Sequence, residues 1–338
     1  ALTTGICNVA IGVNALGAST TGCQNVAIGE LALGAGVTTG KCNVAIGRAA
    51  MDALTSGYGN SVMGTDAFGA GTTGQYNLAF GHGALGTSTT GCNNIAMGTD
   101  SLGGADTTGI DNIAIGHSTM DALTSGICNV AIGANALGAA TTGCLNVAIG
   151  STAMSGGAVT GCYNVVVGVA GMALTSGKNN TVMGRNAGAA LTTGCDNIAI
   201  GYSALAGTTG GTNNIGIGES ALAAGISNCD NIGIGRNSGD AIDSGICNIA
   251  IGSHALGAVN DGCQNTGIGR DSGLGITTGV TNTLLGSSAG NNPEVSGNFS
   301  NKVVLGNNST ANFYVSAALT NPSDKRDKTD VSDLDLGL

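Results

Sequence analysis

The amino-acid sequence predicts an all-β fold, a parallel β-solenoid of about eighteen coils with a repeat near seventeen residues. Three observations predict it. The motif Asn-Val-Ala-Ile-Gly, first whole at Asn8 to Gly12, returns along almost the entire chain, its closing glycine recurring at Gly29, Gly47, Gly64 and onward to Gly286 and Gly306. Of the seventeen intervals between these eighteen glycines, twelve are seventeen residues long and the rest sixteen, eighteen or, once, twenty. Self-similarity of this length marks stacked coils, each one repeat. Within most copies a large apolar residue alternates with a small one, the period-two pattern of a strand with two unlike faces. Finally, 62 glycines, two prolines and no tryptophan in 338 residues leave too few large side chains for a conventional core, while only 9% charged residues is too few for disorder. The order must come from stacking.

In the strand, the positions one and three residues after the asparagine are Val, Ile, Leu or Met in most copies, as in Val9 and Ile11. The residue between them is Ala10, Ala27, Ala45, Ala79 and equivalents, or later Gly216, Gly233 and Gly267. A solvated face would tolerate Lys, Glu or Thr there, so the persistent small residues imply that something packs closely on that side. A neighbouring subunit is the expected source, with a crowded fold of the same chain as the alternative. Four residues past the closing glycine a second apolar site recurs as Leu16, Leu33, Met51, Phe68 and Leu85, expected to close the coil from the opposite wall. At Gly188, Gly239, Gly273 and Gly290 it is lost, so those coils should be thinner or differently filled.

The asparagine occurs in seventeen of eighteen copies, including Asn8, Asn25, Asn43, Asn129, Asn146, Asn197 and Asn248, and fails only at Lys302. An amide at a repeated corner can bond the backbone and the same amide one coil away, so a structural ladder is expected. The closing glycine, and the glycine three residues before the asparagine, are expected to hold backbone angles closed to other residues. Threonine opens the turn in most coils, as Thr3, Thr20, Thr38 and Thr55. Stacked threonines are also what an ice-binding face offers, but these sit beside glycine in a turn and not in pairs on a flat strand.

All eleven cysteines occupy two adjacent slots, one or two residues before the asparagine. Their spacing is that of the repeat and not of a metal site or a Cys-x-x-Cys pair, so buried free thiols are expected, with bonds between neighbouring coils as the alternative. His82, His117 and His254 and Arg48, Arg185, Arg236 and Arg270 follow the closing glycine by one or two residues and read as a solvated rim. No metal site, no cofactor and no catalytic constellation is expected in residues 1–306. The net charge of −10 is spread thinly and no basic stripe exists, which argues against nucleic acid as a partner. The longest apolar run, Val165 to Leu174, is too short to cross a bilayer, so no membrane insertion is expected.

The organisation reads as a repeat shaft over 1–306, a transition or cap over 307–322 and a compositionally distinct end over 323–338, where glycine is almost gone and aspartate and basic residues crowd together. The repeat core is similar to the Asn-Ser-Val-Ala-Ile-Gly repeat of trimeric autotransporter adhesin heads, although the period here is about three residues longer. That resemblance implies a left-handed β-roll assembled as a homotrimer. The stretch Ser323-Asp324-Lys325-Arg326-Asp327-Lys328-Thr329-Asp330-Val331 resembles the opening of the intramolecular chaperone domain that ends many phage tail fibres and spikes. It implies self-cleavage between Pro322 and Ser323, with Ser323 as nucleophile and Lys328 as its base. The whole looks most like tail-fibre-type proteins of marine cyanobacterial phages. The function implied is the shaft of a homotrimeric virion appendage for host attachment, its partners being itself, other virion proteins and a host cell-surface receptor, a glycan among the candidates. A bacterial trimeric surface adhesin is the second reading and an ice-binding solenoid the third.

Overall fold

The computed structural model describes residues 3–169, 174–291, 298–307 and 309–310. Residues 1–307 form one compact unit. The second unit, 308–338, contributes only Ser309 and Thr310 to the described residues. The first unit is a β-solenoid: eighteen three-residue strands, from β1 (Val9–Ile11) and β2 (Val26–Ile28) through β9 (Val147–Ile149) and β10 (Val165–Val167) to β17 (Thr283–Leu285) and β18 (Val303–Leu305), pair in one parallel sheet. Every strand pairs with its sequence neighbours in unshifted register, Val9 on Val26, Ala10 on Ala27 and Ile11 on Ile28. At about 4.8 Å per strand the sheet runs for roughly 80 Å.

A coil of seventeen residues encloses little volume, and this decides which side chains go inside. The middle residue of every strand from β2 to β17 does. Ala27, Ala45, Ala96, Ala131 and Ala148 are fully buried within the single chain. The face expected to meet a neighbouring subunit therefore meets the interior of its own coil, and the alternative, a crowded fold of the same chain, is what is seen. Opposite these alanines stand Leu33, Met51, Phe68, Leu85 and Leu102, also fully buried. A Cβ added to Gly216 would come within 3.2 Å of Leu205 Cγ, and one added to Gly233 within 2.8 Å of Leu222 Cγ, so these two positions have no room for a larger residue.

Where the second wall is glycine, bulk moves elsewhere in the coil. Ile242 and Leu222 close the space at Gly239, and Ile276 and Leu256 that at Gly273. At Gly290 the side chain of Leu284, in the middle of β17, takes the volume. These coils are differently filled and not left empty. Among the described residues, the apolar wall residues such as Leu16, Met51, Phe68, Leu85 and Leu256 hold positive φ, between 47° and 54°. Such a conformation costs a side-chain-bearing residue roughly 1–2 kcal/mol. Burying a Leu or Met contributes roughly 1.5–3 kcal/mol, which offsets it.

The closing glycines show the positive φ expected of them, 134° at Gly29 and 133° at Gly47. The glycines before the asparagine do not, and their reason is proximity. A Cβ on Gly40 would fall on the carbonyl oxygen of Gly57 one coil away.

Candidate functional site

Two features repeat along the sheet, one sealed inside and one turned out. The inner one is an amide ladder. Asn43 Nδ2 donates to Asn25 Oδ1 at 3.1 Å and to the Gly57 carbonyl at 3.0 Å, while its own Oδ1 accepts from the backbone N and Nδ2 of Asn60, both at 3.0 Å. All four hydrogen-bonding positions of the amide are used. The same pattern runs through Asn129, Asn146, Asn197 and Asn248. Asn8 and Asn25 join it at the first coils: Asn25 N reaches Asn8 Oδ1 at 2.9 Å. At the far end the backbone N of Lys302 donates to Asn282 Oδ1 at 3.0 Å, so the one non-asparagine keeps the bond that needs no amide.

The outer feature consists of the residues flanking each buried alanine, which point out of the coil. The row three residues after the asparagine runs Ile11, Ile28, Ile46, Met63, Phe80, Met97, Ile115, Ile132, Ile149, Val167, Met183, Ile200, Ile217, Ile234, Ile251, Ile268, Leu285 and Leu305 without one polar residue. The row one residue after it is apolar except at Ser61, Thr181, Thr266 and Thr283. These side chains remain partly exposed in the single chain, from intermediate at Ile28 and Ile46 to 43% at Met183, 51% at Phe80 and 59% at Ile11. Parallel sheets are ordinarily covered on both faces. Here one face holds the core and the other presents apolar area on the order of a thousand Å², more than a soluble monomer commonly leaves in one patch.

Cysteines border this stripe. They are free thiols, exposed at Cys7, Cys42 and Cys247 and half-buried at the other eight, and the expectation of burial fails. The slots lie just outside the corner whose inward position the asparagine takes. In the slot two residues before the asparagine the Sγ turns to its own chain, Cys23 to the Thr21 carbonyl at 3.3 Å and Cys144 to the Thr142 carbonyl at 3.3 Å.

The rim after the closing glycine is solvated. Arg48 pairs with Asp66 at 2.8 Å, His82 lies 3.7 Å from Asp100, and the Arg185 guanidinium sits 4.6 Å over the Tyr202 ring. Among the described residues no group of three His, Cys, Asp or Glu could hold a metal ion. Threonine hydroxyls are turned into the stack, Thr55 Oγ1 donating to the Thr72 carbonyl at 3.0 Å and Thr124 Oγ1 to the Thr141 carbonyl at 3.0 Å. Ser323, Lys328 and the bond after Pro322 lie outside the described residues.

Asp52, Asp121 and Asp240 all fall five residues past the closing glycine and are half-buried. Burial raises the pKa of each, and repulsion from Asp66 and Asp100 adds to it at Asp52 and Asp121. A carboxyl whose folded pKa is raised stabilises the fold below its unfolded pKa, about 3.9, and that contribution is lost as pH rises through the folded value. Changing all three to asparagine is therefore expected to raise thermal stability at pH 7, by less than about 1 kcal/mol per site because each retains a solvated side. The gain should vanish near pH 3. Equal melting of variant and wild type at pH 7 would contradict it.

No protein-family model matches the chain, and no curated protein matches its sequence.

Proposed function

We propose that this chain is the shaft of a homotrimeric bacteriophage tail fibre or spike, a virion appendage for host attachment. The observation that carries the assembly is the outward stripe, apolar in every one of eighteen coils in its third-residue row. Three copies related by a threefold axis place identical coils at equal height, so each stripe can cover the others along its full length. The same regularity creates a difficulty, because a slip of one repeat costs little per coil. A module that aligns the three chains before release solves it. The Ser323 to Val331 stretch, by its resemblance to an intramolecular chaperone, supplies the argument that the appendage is viral and that the aligning module is cut away. A bacterial surface adhesin shares the repeat resemblance but gives no role to that stretch. The threonine hydroxyls, committed to carbonyls of the next coil, give an ice-binding reading no support.

Ser323 Oγ attacks the Pro322 carbonyl carbon in this account while Lys328 takes its proton, which requires a lysine whose pKa is lowered by a dry surrounding; the bond to the Ser323 nitrogen breaks as that nitrogen takes up the proton, and water then hydrolyses the ester left on Pro322. Expressed with the whole downstream domain, the protein is expected to yield a shaft ending at Pro322. Ser323→Ala and Lys328→Ala should each abolish cleavage while leaving the oligomer intact. Intact-mass analysis reads both. Equal processing of wild type and variants would assign the cut to another protease and remove these two residues from catalysis.

A further inference from the structure

We infer that Cys144 and Cys162 form an intrachain disulfide when the protein meets a disulfide oxidant, and that they are the one pair in the shaft placed to do so. All eleven cysteines lie among the described residues, and only these two occupy the same slot in consecutive coils. Asn146 and Asn164, two residues further on, are rungs of one ladder, and Tyr163 N donates to the Cys144 carbonyl at 3.2 Å, so the two slots are stacked. Stacked residues lie about 4.8 Å apart, inside the Cα separation that a disulfide spans.

The reach of the side chains is shown elsewhere in the same row. Thr212 and Cys229 pair across consecutive coils, and Thr212 Oγ1 approaches Cys229 Sγ to 3.2 Å. A sulfur in place of that hydroxyl would meet the next sulfur, the arrangement Cys144 and Cys162 have by sequence. Cysteines in adjacent coils but different slots lack it. In the slot next to the asparagine, side chains stack on their own row, Cys42 Sγ against Gln24 Oε1 at 3.4 Å and Asn179 Nδ2 against Asp196 Oδ1 at 3.0 Å. Both Cys144 and Cys162 are half-buried, leaving the thiols within reach of a small oxidant.

The bond forms by exchange. One thiolate attacks oxidised glutathione, giving a mixed disulfide and one reduced glutathione, and the second thiolate displaces the other. Two cysteine thiols lose two protons and two electrons, and one glutathione disulfide becomes two thiols. The bond ties β9 to β10 where the repeat is irregular, an interval of eighteen residues from Gly150 to Gly168 being followed by one of sixteen to Gly184.

The test is to equilibrate the reduced full chain with oxidised glutathione, alkylate the remaining thiols and map the peptides by mass spectrometry, using a mixture of unlabelled and isotopically labelled chains. The expected product is a Cys144 to Cys162 cross-link within one chain, about 2 Da lighter than the dithiol, with Cys128 and Cys195 alkylated. Cys162→Ser should leave Cys144 open to alkylation or glutathione. Thr212→Cys should create a second cross-link, to Cys229. Cross-links joining labelled to unlabelled chains, pairing of Cys144 with Cys128, or alkylation of Cys144 and Cys162 to the extent of the others would each overturn the inference.

Discussion

Replacing Asn129 with aspartate is expected to unfold the coils around it while the ends of the solenoid stay ordered. Asn129 Nδ2 gives its protons to Asn112 Oδ1 at 3.0 Å and to the Gly143 carbonyl at 2.8 Å, and both are acceptors that a carboxylate would repel. The site is sealed, with Asn129 1% exposed, so the charge would have no water to turn to. A buried charge without a partner costs about 3–5 kcal/mol. Asn129→Ala should be destabilising too, since it leaves Asn146 N and Nδ2 and the Gly143 carbonyl short of partners at about 1–3 kcal/mol for each group left unsatisfied. Because each coil contacts chiefly its neighbours, the loss should be local. Hydrogen exchange read coil by coil checks this: protection should fall across β7 (Ile113–Ile115) to β9 and persist near β14 (Ile232–Ile234). Unchanged protection at β8 (Val130–Ile132) in the aspartate variant would mean that the ladder contributes little.

The ladder was legible because an amide that recurs at one corner has few other uses. The direction of the strand was not. Alternation of Val, Ala and Ile at residues 130–132 says that the two faces differ, and nothing in the period says which is inside. Elsewhere the larger member of such a pair makes the core. Here the coil is too narrow, since Leu33 and its equivalents already occupy the opposite wall, so Ala goes in and Ile comes out. A signal did exist. At Val182 and Leu284, large residues in the middle of the strand, the wall residue of the same coil is Gly188 or Gly290, an exchange of volume that residues sharing one interior make, although Val62 and Phe68 are large together. The backbone at Leu16, Met51 and Phe68 was illegible for another reason. Large side chains avoid positive φ in isolation, and it is the burial found only in the stacked coil that holds them there. The cysteines misled because a small apolar residue type suggests burial, whereas their slots lie at the corner just outside the core. The proposed catalytic pair rests on resemblance alone, as Ser323 and Lys328 lie outside the described residues.

The inward and outward faces should respond oppositely to substitution. Ala131→Leu together with Ala148→Leu inserts bulk into positions with no exposed surface, at about 1–3 kcal/mol per site, and should disorder coils eight and nine whatever the assembly state. Ile132→Asp together with Ile149→Asp alters side chains 38% and 37% exposed in the single chain, so the coil itself should hold. What these aspartates should disrupt is association, because six carboxylates would be desolvated against one another around a threefold axis, at several kcal/mol for each unpaired charge. Circular dichroism and light scattering separate the two effects. The leucine pair is expected to lose β-signal, and the aspartate pair to retain it at one third of the wild-type mass. Aspartates that leave the mass unchanged would place the contact elsewhere on the coil.

The most direct measurement is the mass of the wild-type protein in solution by sedimentation equilibrium, taken under reducing conditions so that no disulfide contributes. A homotrimeric shaft predicts three times the 32.3 kDa of one chain across the dilution range. A folded species that remains at the mass of a single chain would show that the apolar stripe tolerates water uncovered, and would contradict the assembly and the function drawn from it.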